Sequence, residues 1–128
     1  MTRTYSSRLT ALTVGADPRW VDNLLSRHEI PGVSKGRRGI ERRISDEALL
    51  HVELIRMLNL ELGVSLESAV VIARALAGKT GYDAPNFETP SGLRLSAPLD
   101  EIVHRLRTRL AESVEYIAQV PRGRRPRV

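Results

Sequence analysis

The sequence contains no cysteine, few aromatic residues and no long apolar run. Without cysteine, disulfides and thiolate metal sites are excluded. Aromatic residues make up 4% of the chain, so aliphatic side chains must form most of any core, which favours packed helices. No stretch approaches the roughly 18 apolar residues of a membrane-spanning helix, and the first residues lack the apolar segment of a signal peptide. We therefore expect a cytoplasmic protein with no membrane contact.

Positive charge is concentrated at the two ends of the chain. The 128 residues include 20 Lys or Arg and 15 Asp or Glu, giving a formal net charge of +5 and a pI of about 10.4. Residues 1–45 hold nine basic and four acidic residues, whereas residues 46–97 hold four and seven. The excess returns in residues 98–128, with seven and four. A pI above about 9 is typical of nucleic-acid-binding domains.

Turn residues divide the chain into four parts. We expect a helical domain over residues 1–77 and a linker or irregular hairpin over residues 78–97, where Gly, Pro, Asn and Asp are frequent. Residues 98–119 carry apolar side chains spaced by three and four, which predicts an amphipathic helix for dimerisation or partner binding. The basic tail, residues 120–128, is expected to be disordered.

The first domain begins with two short predicted helices. Leu9, Leu12 and Val14 indicate a helix over residues 5–14, which Gly15 ends. Asp17 is placed to cap the second helix, residues 17–28, with a proline at its first position. That helix would turn Leu24 and Leu25, together with either Trp20 or Val21, toward the core.

A basic hairpin and two further helices are expected next. Residues 33–34 and 40–44 predict two short strands around the glycine-containing loop 35–39. Ser45 is a candidate cap for a helix that reaches residue 62, and Ser65 for one that reaches residue 77. The first of these is apolar on more than one side, which indicates burial against two layers, one of which could be another subunit.

The stretch from Gly15 to Leu76 resembles the MerR-like and excisionase-like winged helix-turn-helix families. In these families a Gly-Val-Ser-Pro-type turn opens the recognition helix, where this chain has Gly-Ala-Asp-Pro at 15–18. A Gly-Leu/Ile-Pro segment ends that helix, here Glu-Ile-Pro at 29–31, and an Arg-aromatic/Ile-Ser element closes the wing, here Arg-Ile-Ser at 43–45. The Leu-Gly-Val-Ser-Leu-Glu turn of the following helix pair stands at 62–67.

This resemblance implies a mainly α fold, a winged helix-turn-helix with a small β-hairpin wing and additional C-terminal helices. The chain departs from MerR proteins, which usually carry an Arg-Tyr-Tyr-like run in the recognition helix, where residues 22–24 are Asp-Asn-Leu. The excisionase-like pattern tolerates this better. No long coiled-coil helix directly follows Leu76 and no cysteine is present, so a metal or redox sensor of the MerR type is not expected.

Eight side chains are candidate contacts to double-stranded DNA. On the predicted recognition helix, Arg and Asn recur at four-residue spacing and can read guanine and adenine in the major groove. On the wing, residues 33–44, five basic side chains could reach phosphates or a minor groove and release counterions. The candidates are Arg19, Asn23 and Arg27 on the helix, and Lys35, Arg37, Arg38, Arg42 and Arg43 on the wing.

These patterns predict a sequence-specific DNA-binding transcriptional regulator, expected to be a homodimer. No nucleophile and base stand together and the three histidines lie in separate elements, so we expect neither an enzyme nor a metal site, and no cofactor. Two alternatives stay open. One is an antitoxin-like protein that autoregulates through DNA and neutralises a partner protein through residues 92–119. The other is a phage-type excision or architectural factor.

Overall fold

The computed structural model of the protein describes residues 3–36, 41–77 and 86–119. The described part is mainly helical with small antiparallel sheets, which confirms the mainly α expectation. The elements in chain order are β1 (Thr4–Tyr5), α1 (Ser7–Val14), α2 (Pro18–Arg27), β2 (Val33–Ser34), β3 (Arg43–Ser45), α3 (Asp46–Arg56), a π-helical segment (Met57–Glu61), α4 (Leu66–Ala77), β4 (Asn86–Glu88), β5 (Arg94–Ser96) and α5 (Leu99–Gln119).

Local capping explains where the first two helices begin and end. The Ser6 hydroxyl accepts a hydrogen bond from the Leu9 amide at 3.1 Å, and Gly15 ends α1 with a left-handed φ of 72°. The Asp17 carboxylate accepts from the Arg19 amide at 2.8 Å, so the predicted start of α2 is confirmed. The predicted start of the first helix at residue 5 is wrong, because Tyr5 lies in a strand and Ser6 is the cap.

The first sheet has three antiparallel strands in the order β1-β3-β2, and its β2–β3 pair is the predicted hairpin. Ile44 on β3 lies opposite Val33 on β2 and opposite Tyr5 on β1. The hairpin is therefore confirmed, although its second strand covers Arg43–Ser45 rather than residues 40–44. Residues 37–39 of the predicted loop and residue 40 of the predicted second strand lie outside the described residues. Strand β1 was not predicted.

The apolar stripe of α3 is buried within one chain. The helix packs against α1, α4 and the first sheet, and five large apolar side chains along it are buried: Leu49, Val52, Leu54, Ile55 and, in the π-helical segment, Leu58. The Ser45 hydroxyl accepts from the Ala48 amide at 3.2 Å, which confirms the predicted cap. The predicted continuous helix to residue 62 is wrong in detail, because regular α-helix ends at Arg56. The stripe is covered within the chain up to Leu58, whereas Leu60 and Leu62 are exposed.

The C-terminal region joins the same hydrophobic core. Strands β4 and β5 pair antiparallel, with Phe87 opposite Leu95, so the described part of the predicted linker or irregular hairpin is a hairpin. Helix α5 packs along α1 and buries Ile102 and Leu106 in the core that holds α2 and α3. Residues 78–85 of the predicted linker and the whole predicted tail, residues 120–128, lie outside the described residues. In the described residues no helix is long and apolar enough to cross a membrane.

Candidate nucleic-acid interface

Helix α2 has one buried face and one polar, solvent-exposed face. Its apolar residues, Val21, Leu24 and Leu25, are buried against the core. Arg19, Asn23 and Arg27 are all exposed. Because residues four apart lie on the same side of an α-helix, these three side chains form a row along the outer surface of α2. The structure therefore places the three predicted recognition-helix residues together and in contact with solvent.

The single tryptophan is part of the support for this helix. Trp20 is half-buried against the core, and its indole N–H donates to Asn59 Oδ1 at 3.1 Å in the π-helical segment. Asn59 in turn donates its side-chain amide to the Val64 carbonyl at 2.8 Å. This contact fixes the inner side of α2 on the turn between α3 and α4. Trp20 is thus a core residue, which leaves the polar row as the exposed part of the helix.

Arg42 attaches the hairpin to α2. Its Nη2 donates to the Ser26 hydroxyl at 3.1 Å, and its Nη1 lies 3.7 Å from Asp22 Oδ1. The Ser26 hydroxyl donates to the Asp22 carbonyl at 2.6 Å, so the acceptor is itself held in place. Asp22 thus forms an ion pair with an arginine of the hairpin. The hairpin and the polar row of α2 consequently keep a fixed relation to one another.

The remaining basic residues of the hairpin differ in the hydrogen bonds and ion pairs that their side chains form. The Arg43 guanidinium donates to the Thr4 hydroxyl at 3.0 Å and to the Thr4 carbonyl at 2.9 Å, so it binds β1 to β3. Lys35 is exposed at the end of β2 and forms no ion pair with any described residue. Arg37 and Arg38 lie outside the described residues. Among the described hairpin residues, Lys35 and Arg43 therefore carry positive charges without an ion-pair partner, and the guanidinium of Arg43 is held by Thr4.

A cleft of about 560 Å³ separates the hairpin from the starts of α1 and α2. Ser6 and Arg8 line it from α1, Pro18 from α2, and Arg42 from the hairpin. Residues at the N-termini of two helices line this cleft, and the partial positive charge of an N-terminus favours anions, but Asp22 and Glu41 also line it and oppose them. Arg8 is exposed and was not among the predicted site residues. In the sequence, Arg8 could have been recognised as a basic residue in the first turn of a helix that Ser6 caps.

Arg74 is a second basic residue that sequence reasoning missed. It belongs to α4, and its Nη2 donates to the Glu29 carbonyl at 3.1 Å in the segment that follows α2. With His28 and Lys35 it lines a shallow cavity of about 290 Å³ beside the hairpin. No pattern within α4 marks this residue, because its position depends on the packing of two helices distant in sequence.

Comparisons with known proteins give no direct indication of function. No family model, curated protein or solved structure matches this chain. Within residues 3–36, 41–77 and 86–119, no three His, Asp or Glu side chains form a group that could hold a metal ion. The functional argument therefore depends on the residues and geometry described above.

Proposed function

We propose that the protein is a sequence-specific DNA-binding regulator of transcription with a winged helix-turn-helix fold. In this proposal α2 is the recognition helix and the β2–β3 hairpin is the wing. The observation that carries it is the link from Arg42 to Asp22 and Ser26. This link holds a row of exposed DNA-compatible side chains and a basic hairpin on one surface of the molecule.

The dimensions and chemistry of α2 support insertion into the major groove. The helix has 10 residues, a length of about 15 Å, and the major groove of B-DNA, about 12 Å wide, admits one α-helix. Arg19 and Arg27 carry the donor pairs that match guanine, and Asn23 carries the donor and acceptor that match adenine. These three residues are exposed on one side of the helix, so they can approach base edges together.

Phosphate contacts would come from the surroundings of α2. Lys35 at the hairpin and Arg8 at the start of α1 are exposed cations, and the helix N-termini beside Ser6 and Pro18 favour a phosphate in the adjacent cleft. Arg37 and Arg38 add two charges in the loop of the wing. Arg42 and Arg43 would act mainly by holding the wing in position, because their guanidinium groups already bind α2 and β1.

A homodimer is the second part of the proposal. Two copies would place two recognition helices on half-sites separated by about one helical turn of DNA, or a multiple of it. Among the described residues, large apolar side chains are exposed just beyond α3, at Leu60 and Leu62, and on α5, at Val114 and Tyr116, which are 48% and 58% exposed. We assign the dimer surface to the last turns of α5, where Val114 and Tyr116, two residues apart, lie on different sides of the helix.

An antitoxin-like protein is the alternative that these exposed side chains also fit. Its DNA-binding half would be the same, and Val114 and Tyr116 would contact another protein. Removing α5 does not separate the two cases, because Ile102 and Leu106 belong to the core. Substitution of Val114 and Tyr116 by serine does: loss of self-association favours the regulator homodimer, and an intact dimer favours a partner protein.

Selection of bound DNA tests the proposal. The purified full chain would be mixed with sheared genomic DNA from its source, washed at about 0.2 M salt, where weak phosphate-only binding fades, and the retained fragments sequenced. Enrichment of a few loci that share a repeated motif is the expected result. Retention without any shared motif, or no retention, would contradict sequence-specific binding.

The salt dependence of binding tests the role of the wing. Each phosphate contact contributes about 0.9 to the slope of log affinity against log salt, so Arg37→Ala combined with Arg38→Ala should lower that slope by about 2 if both residues contact phosphate. The matched control is Arg94→Ala combined with Arg107→Ala, because both arginines are exposed and lie outside the candidate interface. An equal loss in the two double variants would show a general charge effect only.

A further inference from the structure

A second charged cleft lies between α3 and α5, apart from the proposed DNA interface. It has a volume of about 610 Å³, within the range of small-molecule sites. Arg56 and Glu61 line it from the end of α3 and the π-helical segment, and His104, Arg105 and Arg109 line it from α5. Its inner wall contains Glu53, a carboxylate that is 2% exposed.

The carboxylates of this cleft are already neutralised. Glu53 Oε1 accepts from Arg56 Nε at 2.7 Å, and Glu53 Oε2 accepts from Arg109 Nη2. Arg56 Nη1 also donates to Glu61 Oε2 at 3.1 Å. Arg109 reaches inward from α5 to the buried carboxylate, with 36% of its side chain still exposed. Two arginines thus neutralise two carboxylates.

Positive charge and hydrogen-bond donors are left over. Arg105 is exposed and forms no ion pair with any described residue. Arg109 Nε is buried without a hydrogen-bond partner among the described residues, although buried donors are nearly always paired. His104 adds a ring that can donate. A cleft whose carboxylates are paired and whose Arg105 guanidinium forms no ion pair is complementary to an oxyanion.

The backbone at this cleft is also unusual. Residues Met57–Glu61 form a π-helical segment directly after α3, and π-helical turns are rare and occur frequently at functional sites. The segment carries Glu61 at its end and begins next to Arg56, so the irregular turn positions two of the cleft's charged groups. This feature is independent of the unpaired donors on α5.

We infer that the cleft between α3 and α5 binds a small organic anion that carries carboxylate or phosphate groups. Arg105 would bind its oxygens, with His104 as a further donor, while Arg109 stays bound to Glu53 and keeps that carboxylate neutralised. The bound anion would bridge α5 and the end of α3. The inference does not depend on DNA binding, because none of its residues belongs to the α2 and hairpin surface.

Direct titration tests this inference with citrate and inorganic phosphate as probes. Binding to the full chain would be measured by calorimetry at constant ionic strength, with sodium chloride as the compensating salt. The variant is Arg105→Ala, and the matched control is Arg107→Ala, an equally exposed arginine two residues away on α5 that does not line the cleft. Neither side chain contributes to the core, so both variants should fold.

The expected result is saturable binding of at least one probe to the wild-type chain. Because a hydrogen bond to a charged group is among the stronger polar contacts, Arg105→Ala should weaken that binding about tenfold or more, and Arg107→Ala should leave it within about twofold. Absence of saturable binding for both probes would overturn the inference. Equal weakening in the two variants would also overturn it, because the binding would then be general electrostatic attraction.

Discussion

Removal of the buried negative charge of Glu53 should destabilise the fold more than any other single charge removal in the same network. Glu53 is 2% exposed and is bound by two arginines, one from its own helix and one from α5. The substitution Glu53→Gln keeps the shape and one acceptor oxygen. It leaves Arg56 and Arg109 without the charge that compensates them.

The magnitude follows from the exposure of the partners. Breaking a fully buried ion pair by removing one member costs about 3–5 kcal/mol. The side chains of Arg56 and Arg109 are 17% and 36% exposed, so water can rehydrate part of both guanidinium groups. We therefore expect Glu53→Gln to lower the free energy of unfolding by about 2–3 kcal/mol, a fall in Tm of roughly 10 °C for a chain of this length.

Equilibrium unfolding in urea, followed by circular dichroism, measures this change. Glu61→Gln is the matched control, because Glu61 pairs with the same Arg56 but its side chain is 56% exposed. An exposed pair contributes about 0–1 kcal/mol, so the control should lose less than about 1 kcal/mol. If Glu53→Gln loses no more than Glu61→Gln, the reasoning about the buried network is refuted.

Three further predictions concern the elements that position the interface. Asp17→Ala removes the N-cap of α2 and should lower the free energy of unfolding by about 1 kcal/mol, measured in urea; an unchanged value would argue against the cap. At Gly32, where φ is +89° and a methyl group would overlap the hydroxyl that caps α3, alanine should cost about 2–5 kcal/mol. Gly92→Ala, with φ +93° and open space, should cost only about 1–2 kcal/mol, and equal losses would contradict the overlap. Burial, followed by the hydrogen bond to Asp46, raises the pKa of Tyr5 from 10.0 to about 12. The folded state therefore holds this proton more tightly than the unfolded chain, and its contribution, complete below pH 10, is lost as the pH rises toward 12. Unfolding at a series of alkaline pH values should show a smaller loss in Tyr5→Phe than in the wild type, and parallel curves would contradict this.

Short-range signals in the sequence were sufficient for most of the helices. Asp17 followed by proline, and Gly15 after an apolar pair, mark helix ends by interactions within a few residues. The row formed by Arg19, Asn23 and Arg27 depends only on helical periodicity. These features were predicted because each is determined by residues close together in the chain.

Features that depend on distant residues were missed. Strand β1 is two residues long, too short for a visible alternation, and its partner Ile44 is 39 positions away from Tyr5. The bonds from Arg43 to Thr4 and from Arg109 to Glu53 were missed for the same reason, because no residue close to either arginine in the sequence identifies its acceptor. Glu53 itself, an acidic residue within an apolar run, was a visible signal of a buried ion pair.

The central claim is that α2 reads base sequence, and base preference measured on altered duplexes tests it most directly. For a duplex enriched by selection, the affinity of wild type, Asn23→Ala and the control Arg94→Ala would be determined with each base pair changed in turn. The account predicts that Asn23→Ala loses discrimination at one base pair in each half-site, worth about 1–3 kcal/mol, and that Arg94→Ala keeps the wild-type preferences. If Asn23→Ala, and likewise Arg19→Ala and Arg27→Ala, kept every preference of the wild type, α2 would not be the recognition helix.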